Sequence, residues 1–259
     1  MRTAYLTATR YTLLELARNR LAIGLLALFL PIWYVLLGEA VGTGDAEFKL
    51  KSTGTFVYVD AHTLTLLTAG FNAITLIIGF LIFASTRKGG DFDRRLVLSG
   101  LSQPVMVLAK LSALVVTAAA VSLYAVLILL VFWRPENLAL VWMGLFSAAL
   151  IYGTFGMLLG VLVRSELAGF FIIIMVSLLD TLFQNPVDNP AANKDFLAWF
   201  PSFGPTQLAV AGGYLNTMSG RMLALSLAWF VGFGVLALLI FWRRTRAWNA
   251  RGRAQQRAG

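Results

Sequence analysis

The sequence predicts an all-α membrane protein built as a single transmembrane domain over 1–259, and three observations carry that expectation. Of 259 residues, 59% are apolar and 13% charged, with a mean hydropathy of +0.78. Soluble domains carry about a quarter charged residues and under half apolar ones. Six apolar runs, at 21–38, 64–85, 111–133, 138–163, 167–183 and 222–242, recur along the chain. Each can cross a hydrocarbon core of ~30 Å. With the N-terminus inside and six crossings, sixteen of the 21 lysines and arginines fall on the inner side. Only Lys49, Lys51, Arg134, Lys194 and Arg221 fall outside, the asymmetry that the positive-inside rule predicts for an even number of spans with both termini cytoplasmic.

Composition also excludes chemistry. There are no cysteines, so disulfides, thiolate metal sites and cysteine nucleophiles are ruled out. His62 is the single histidine, and no carboxylate cluster has metal-ligand spacing. Neither a paired serine and histidine, two opposed aspartates, nor His-Glu-x-x-His can be assembled for an intramembrane protease. No Gly-Lys dipeptide occurs, so the chain carries no P-loop. The net charge of +9 sits beside apolar spans, where it faces lipid headgroups rather than nucleic acid. No catalytic residue and no bound metal is expected; transport or binding is.

Residues 1–20 read as an amphipathic helix lying in the inner interface, with a frayed arm as the alternative. At 100° per residue Tyr5, Leu6, Leu13, Leu16 and Ala17 share one arc, and Glu15, Arg18 and Asn19 share the opposite one. The first span is too long and lacks a clear small-residue cleavage site, so it reads as a retained anchor rather than a secretory signal. The outer segment 39–63 mixes acids, glycines and threonines and reads as a small polar cap.

After span two the sequence runs T-R-K-G-G-D-F-D-R-R-L-V-L-S-G. Gly89-Gly90 is expected to break the span, Asp91 to cap a new helix of about nine residues, and Gly100 to stop it. That helix, roughly 14 Å long, would set Asp91 against Arg94 and Arg95 at i+3 and i+4. It would gather Phe92, Leu96 and Ser99 on one side. A charged body with an apolar edge suits docking into a partner's groove; a solvated linker is the alternative.

Spans three, four and five are tied by two tight connections, 134–137 and 164–166. Gly153, Gly156 and Gly160 in span four permit close helix approach. Span five carries Asp180, the only carboxylate inside a span. Lying about one turn from the outer end, it can hold the following loop, with proton coupling as the alternative. The outer segment 185–220 is punctuated by Asn185-Pro186, Asn189-Pro190, Phe200-Pro201 and Gly204-Pro205, so it is not one helix. The apolar stretches 196–200 and 208–211 are expected to form short re-entrant helices that dip back into the outer leaflet. Trp199, Phe200, Pro201, Phe203 and Pro205 would form an outer gate where they meet; an interfacial aromatic anchor is the alternative. After span six, 243–259 is a basic cytoplasmic tail. The unequal connections argue against an inverted 3+3 repeat of the secondary-transporter kind.

The lead-in helix with six spans, the acidic-basic helix 91–99, Pro104 followed by Lys110, and the proline-rich segment 185–220 together resemble the permease (transmembrane) subunit of ABC-2 type ABC transporters. The resemblance is strongest to the drug and antibiotic exporter members. Asp91 and Asp93 stand where that family commonly has glutamates. The resemblance implies a multi-pass protein of a prokaryotic cytoplasmic (inner) membrane that is not itself an enzyme. Asp91, Phe92, Asp93, Arg94, Arg95 and Leu96 would be the coupling helix that docks onto an ABC ATPase subunit. Two ATPase subunits, carrying ATP and Mg, would serve a pair of permeases, the second being another copy or a homologue. No cofactor would bind this chain directly; its other partners would be membrane lipids, and no nucleic acid is implied. Cargo would be a hydrophobic or amphipathic small molecule moving outward. A rival expectation is an ATP-independent carrier or channel that uses Asp180.

Overall fold

The structure, a computed structural model, describes residues 2–40, 42, 44–98 and 102–258; side chains are described for these except at 2, 21–22, 91–98, 103 and 244–258. It is mostly helical. Six helices are long and apolar enough to cross a membrane: Ile23–Ala40, Ala61–Gly90, Pro104–Phe132, Leu138–Leu162, Glu166–Phe183 and Gly220–Arg243. These agree with the six apolar runs read from sequence.

The lead-in forms helix α1 (Arg2–Arg18), followed after Asn19 by α2 (Arg20–Ala40), which runs through Pro31. Of the arc expected to be apolar, Leu16 is buried and Leu13 packs against the core, while Leu6 is 63% exposed. The helix is docked rather than frayed, because the Tyr5 hydroxyl meets the Ser112 hydroxyl at 2.5 Å. Both hydroxyls find a partner in this way, which an apolar setting would otherwise deny them.

The polar cap expected over 39–63 is a β-hairpin. Strand β1 (Asp45–Lys49) pairs antiparallel with β2 (Phe56–Asp60), in the register Asp45 opposite Asp60 and Glu47 opposite Tyr58. The turn uses Gly54 at φ 74°, a left-handed conformation that costs glycine little. Asp60 ends β2 and starts the next helix, its carboxylate accepting from the Thr63 amide at 2.9 Å.

Helix α3 (Ala61–Leu98) corrects one expectation. The helix passes through Gly89-Gly90 without a break, so 91–98 extends span two instead of forming a separate Asp91-capped helix. Each glycine costs about 1 kcal/mol in a helix, yet neither removes a hydrogen bond nor clashes with the preceding turn as proline would. The expected stop at Gly100 lies outside the described residues.

Helices α4 (Gln103–Phe132), α5 (Leu138–Leu162) and α6 (Glu166–Phe183) follow through the two tight connections. Pro104 sits in the first turn of α4, where its missing N–H is not needed. Asn137 caps α5 and Ser165 caps α6, accepting from Leu140 N at 3.1 Å and Ala168 N at 3.3 Å. At the other end of α5, the Arg87 guanidinium donates to the Val163 carbonyl at 2.7 Å. A 3-10 turn, Asp195–Trp199, precedes α7 (Phe203–Tyr214), and α8 (Gly220–Ala258) carries the last span on into the basic tail.

The bundle is built around α3 and α5, whose spans are 83% and 72% enclosed, against 17% for α2 and α8. Lipid is as apolar as leucine, so helices associate there through close packing of small residues. The glycines of α5 serve that purpose within the chain. A Cβ at Gly160 would stand 2.8 Å from the Thr86 Cβ and 3.1 Å from the Phe83 carbonyl, and Gly156 rests on the backbone of Gly79. Between α3 and α6 the buried hydroxyls of Thr75 and Ser177 bond at 2.5 Å, and Thr181 bonds Asn72.

Candidate functional site

The segment between the fifth and sixth spans, α6 and α8, buries Gln184, Asn185, Ser202, Thr206 and Gln207. Four prolines prevent a continuous helix there. The chain leaves α6 through side-chain-stabilised turns: Asn185 accepts from Val187 N at 3.0 Å and Asn189 from Ala191 N at 3.0 Å. The 3-10 turn and α7 match the two short apolar stretches expected from sequence. Every residue from Phe203 to Gly213 is buried, and α7 packs against α5 and α8.

Asp180 anchors this arrangement at 1% exposure. One carboxylate oxygen accepts from the Ser202 hydroxyl at 2.6 Å. The other accepts from the Tyr152 hydroxyl at 2.6 Å and the Ser202 amide at 2.9 Å. The Ser202 hydroxyl also lies 3.1 Å from the Asp180 carbonyl oxygen. Ser202 is the residue before α7, so the carboxylate takes up a backbone donor at the start of that helix, where negative charge is favoured. Asp180 thereby fastens α7 to α6 and, through Tyr152, to α5. Both oxygens are engaged by fixed protein donors, an arrangement suited to holding a helix.

The aromatic residues expected to form a gate separate into two groups. Phe203 (3% exposed) and Pro205 are buried, Phe203 in a cluster with Leu208 and Met222. Trp199 is 81% exposed, and Pro201 is half-buried. Phe200 meets Phe183 edge-on at 5.9 Å and 82°. The polypeptide thus turns from the exposed Trp199 to the buried Phe203 within four residues.

The hairpin is joined to the same segment by two side-chain amides that extend its hydrogen-bond ladder. Asn193 donates to the Glu47 carbonyl at 2.9 Å and accepts from Lys49 N at 2.9 Å. Gln207, on α7, donates to the Lys49 carbonyl at 3.0 Å and accepts from Lys51 N at 2.9 Å. Together they cover the free edge of β1, which would otherwise leave unpaired backbone groups. Lys51 adds an ion pair to Asp195 at 2.5 Å, which holds that carboxyl below the ordinary aspartate value. At the last residue of α7, burial pushes the Tyr214 hydroxyl up to about 12, and it bonds the Thr63 hydroxyl at 2.5 Å.

Sequence reasoning singled out Asp180 but not its partners. Tyr152 lies 28 residues away, and Asn193 and Gln207 reach strand residues more than 140 positions back. No periodicity connects such pairs. At the opposite end, Asp91, Phe92, Asp93, Arg94, Arg95 and Leu96 lie on the last turns of α3, with side chains outside the described residues. Among the described residues no group of three His, Asp or Glu side chains could hold a metal.

Six spanning helices and these caps define a multi-pass membrane protein. Comparison with known proteins adds no family to that class: no family model matches the chain, and no curated protein matches it significantly.

Proposed function

We propose that the protein is the membrane-spanning permease subunit of an ATP-driven exporter, of the ABC-2 type that its sequence resembles. The observation that carries this reading is α7, a short helix folded back into one end of the bundle between the last two spans and latched there by Asp180. The lead-in helix α1 docked ahead of the first span, at the end that carries the basic connection between the second and third spans, supports it further. In this reading the membrane is the cytoplasmic membrane of a prokaryote and both termini are cytoplasmic. α7 and its 3-10 turn are re-entrant elements in the outer leaflet. The last turns of α3, residues 91–96, meet a separate ATPase subunit that holds ATP and Mg, and two permeases flank the path.

The chain's own residues suit mechanical work better than chemistry. Nucleotide-driven closure of the ATPases would press on the end of α3, and α3 with α5 is the enclosed centre of the bundle. Movement there reaches α7 through Tyr152, Asp180 and Ser202, and so reaches the turn around Trp199 and Phe200. The enclosed spans lack lysine and arginine over most of their length, which favours a hydrophobic or amphipathic cargo. The hydrogen bonds that engage both oxygens of Asp180 weigh against the alternative of an ion-coupled carrier, which needs a carboxylate free to exchange a proton.

The test is gentle affinity purification from the native membrane. A P-loop ATPase should co-elute at a one-to-one ratio, and Phe92→Ala or Arg95→Glu should loosen it. A chain that elutes alone and stable overturns the exporter reading.

A further inference from the structure

We propose that the cavity between α1, α3 and α4 is a binding site for one acidic phospholipid of the cytoplasmic leaflet, its headgroup held by Arg18, Lys88 and Lys110. The cavity measures about 1060 Å³. The three cations line it from three different helices: Arg18 ends α1, Lys88 lies on α3 and Lys110 on α4. Glu15 is the only carboxylate among the described lining residues, and it accepts from the Ser85 hydroxyl at 3.2 Å. The lining therefore carries a net positive charge.

The rest of the wall is mostly apolar, interrupted by Thr3, Thr7, Thr12, Asn19 and Ser85. α1 turns toward the cavity the face that bears Glu15 and Arg18, and Tyr11 and Leu14 line it too, at 68% and 44% exposure. Leu81 of α3 completes that side. An apolar trough with a cationic rim matches an amphiphile, whose phosphate meets the ammonium and guanidinium donors while its chains cover the trough. A free phosphate would occupy a small part of the volume and leave Tyr11 and Leu14 against water. Basic residues gathered at the inner membrane surface attract anionic headgroups by roughly a factor of five each. The inference rests on the orientation set by the lysine and arginine distribution, and not on the exporter reading.

The experiment places the purified full-length chain in nanodiscs containing equal phosphatidylglycerol and phosphatidylcholine. Lipid retained after extraction is counted by native mass spectrometry. One phosphatidylglycerol per chain should be retained, favoured over phosphatidylcholine by about tenfold or more. Lys88→Gln and Lys110→Gln should each lower that preference about fivefold. The double arginine variant, Lys88→Arg with Lys110→Arg, should keep it, as should Lys194→Gln at the other end of the bundle. Equal retention of the two lipids by the unmodified chain overturns the proposal. So does a preference that survives loss of both lysines, or one that Lys194→Gln lowers as much. A chain that binds the acidic lipid but no ATPase would uphold this site and sink the exporter reading alone.

Discussion

Replacing Gly144 by alanine tests how tightly α7 is seated. Gly144 lies on α5 facing α7, and a Cβ there would stand 2.7 Å from both the Pro205 carbonyl oxygen and the Ala209 Cβ, and 3.0 Å from the Ala209 amide nitrogen. Ordinary contact begins at 3.4 Å, so α7 would have to withdraw by about 0.7 Å, enough to forfeit a quarter to a half of each dispersion contact along that face. Neither end of α7 gives way easily. Asp180 holds its start through Ser202, and Glu136 N and Asn137 N bond the Gly213 and Gly212 carbonyls at 3.0 and 2.9 Å near its finish. Behind it, a Cβ at Gly204 would already stand 2.6 Å from the Ser226 hydroxyl and 2.8 Å from the Met222 carbonyl, so α8 blocks retreat. Overpacking of this kind costs about 2 kcal/mol, while alanine returns about 1 kcal/mol of helix propensity. Gly232→Ala and Gly24→Ala meet nothing within 4 Å and gain the propensity alone. The gap between Gly144→Ala and Gly232→Ala should therefore be about 2 kcal/mol, roughly thirtyfold in the folding equilibrium. Titration with a denaturing detergent, read by tryptophan fluorescence, measures it. Equal stability of the two variants would refute the close packing of α5 on α7.

Two further outcomes follow from the polar contacts. Asp180→Asn replaces one accepting oxygen by a donor that faces the Tyr152 or Ser202 donors, at a cost of about 2 kcal/mol; hydrogen exchange at the amides of 206–208 should quicken about thirtyfold, with α5 unchanged. Unaltered protection of α7 would show that Asp180 is no latch. The Lys51–Asp195 pair predicts a pH effect with a definite sign: a carboxyl held below its ordinary value contributes above that value, and the contribution is lost as pH falls through the lowered one. A carboxyl-carbon NMR titration should find Asp195 below the usual aspartate midpoint, and Lys51→Ala should return it; an ordinary midpoint in both would remove the ion pair from the account.

Much of the architecture is legible in one dimension because a bilayer imposes a length and a polarity on whatever crosses it. The runs at 21–38, 64–85, 111–133, 138–163, 167–183 and 222–242 reappear as the spans of α2, α3, α4, α5, α6 and α8, with span ends shifted by seven residues at most. The prolines of 185–220 kept that segment from being one helix, and the apolar stretches 196–200 and 208–211 became parts of the 3-10 turn and α7. Gly89-Gly90 was legible but misleading. Glycine weakens a helix without forbidding it, so continuation from a long, well-packed α3 prevails.

By itself the sequence determined the class of the molecule, the number of spans, the sites of the turns and the unusual standing of Asp180, since each follows from local composition. Only the tertiary structure decided what those features touch. It drew the loop between the first two spans into a hairpin whose β1 edge is covered by Asn193 and Gln207, and it turned the glycines of α5 against α3 and α7. It also surrounded Asp180 with Tyr152 and Ser202 and brought Arg18, Lys88 and Lys110 around one cavity. These contacts join residues far apart in the chain. Their energies depend on distances of a few tenths of an ångström between helices, which no local pattern encodes.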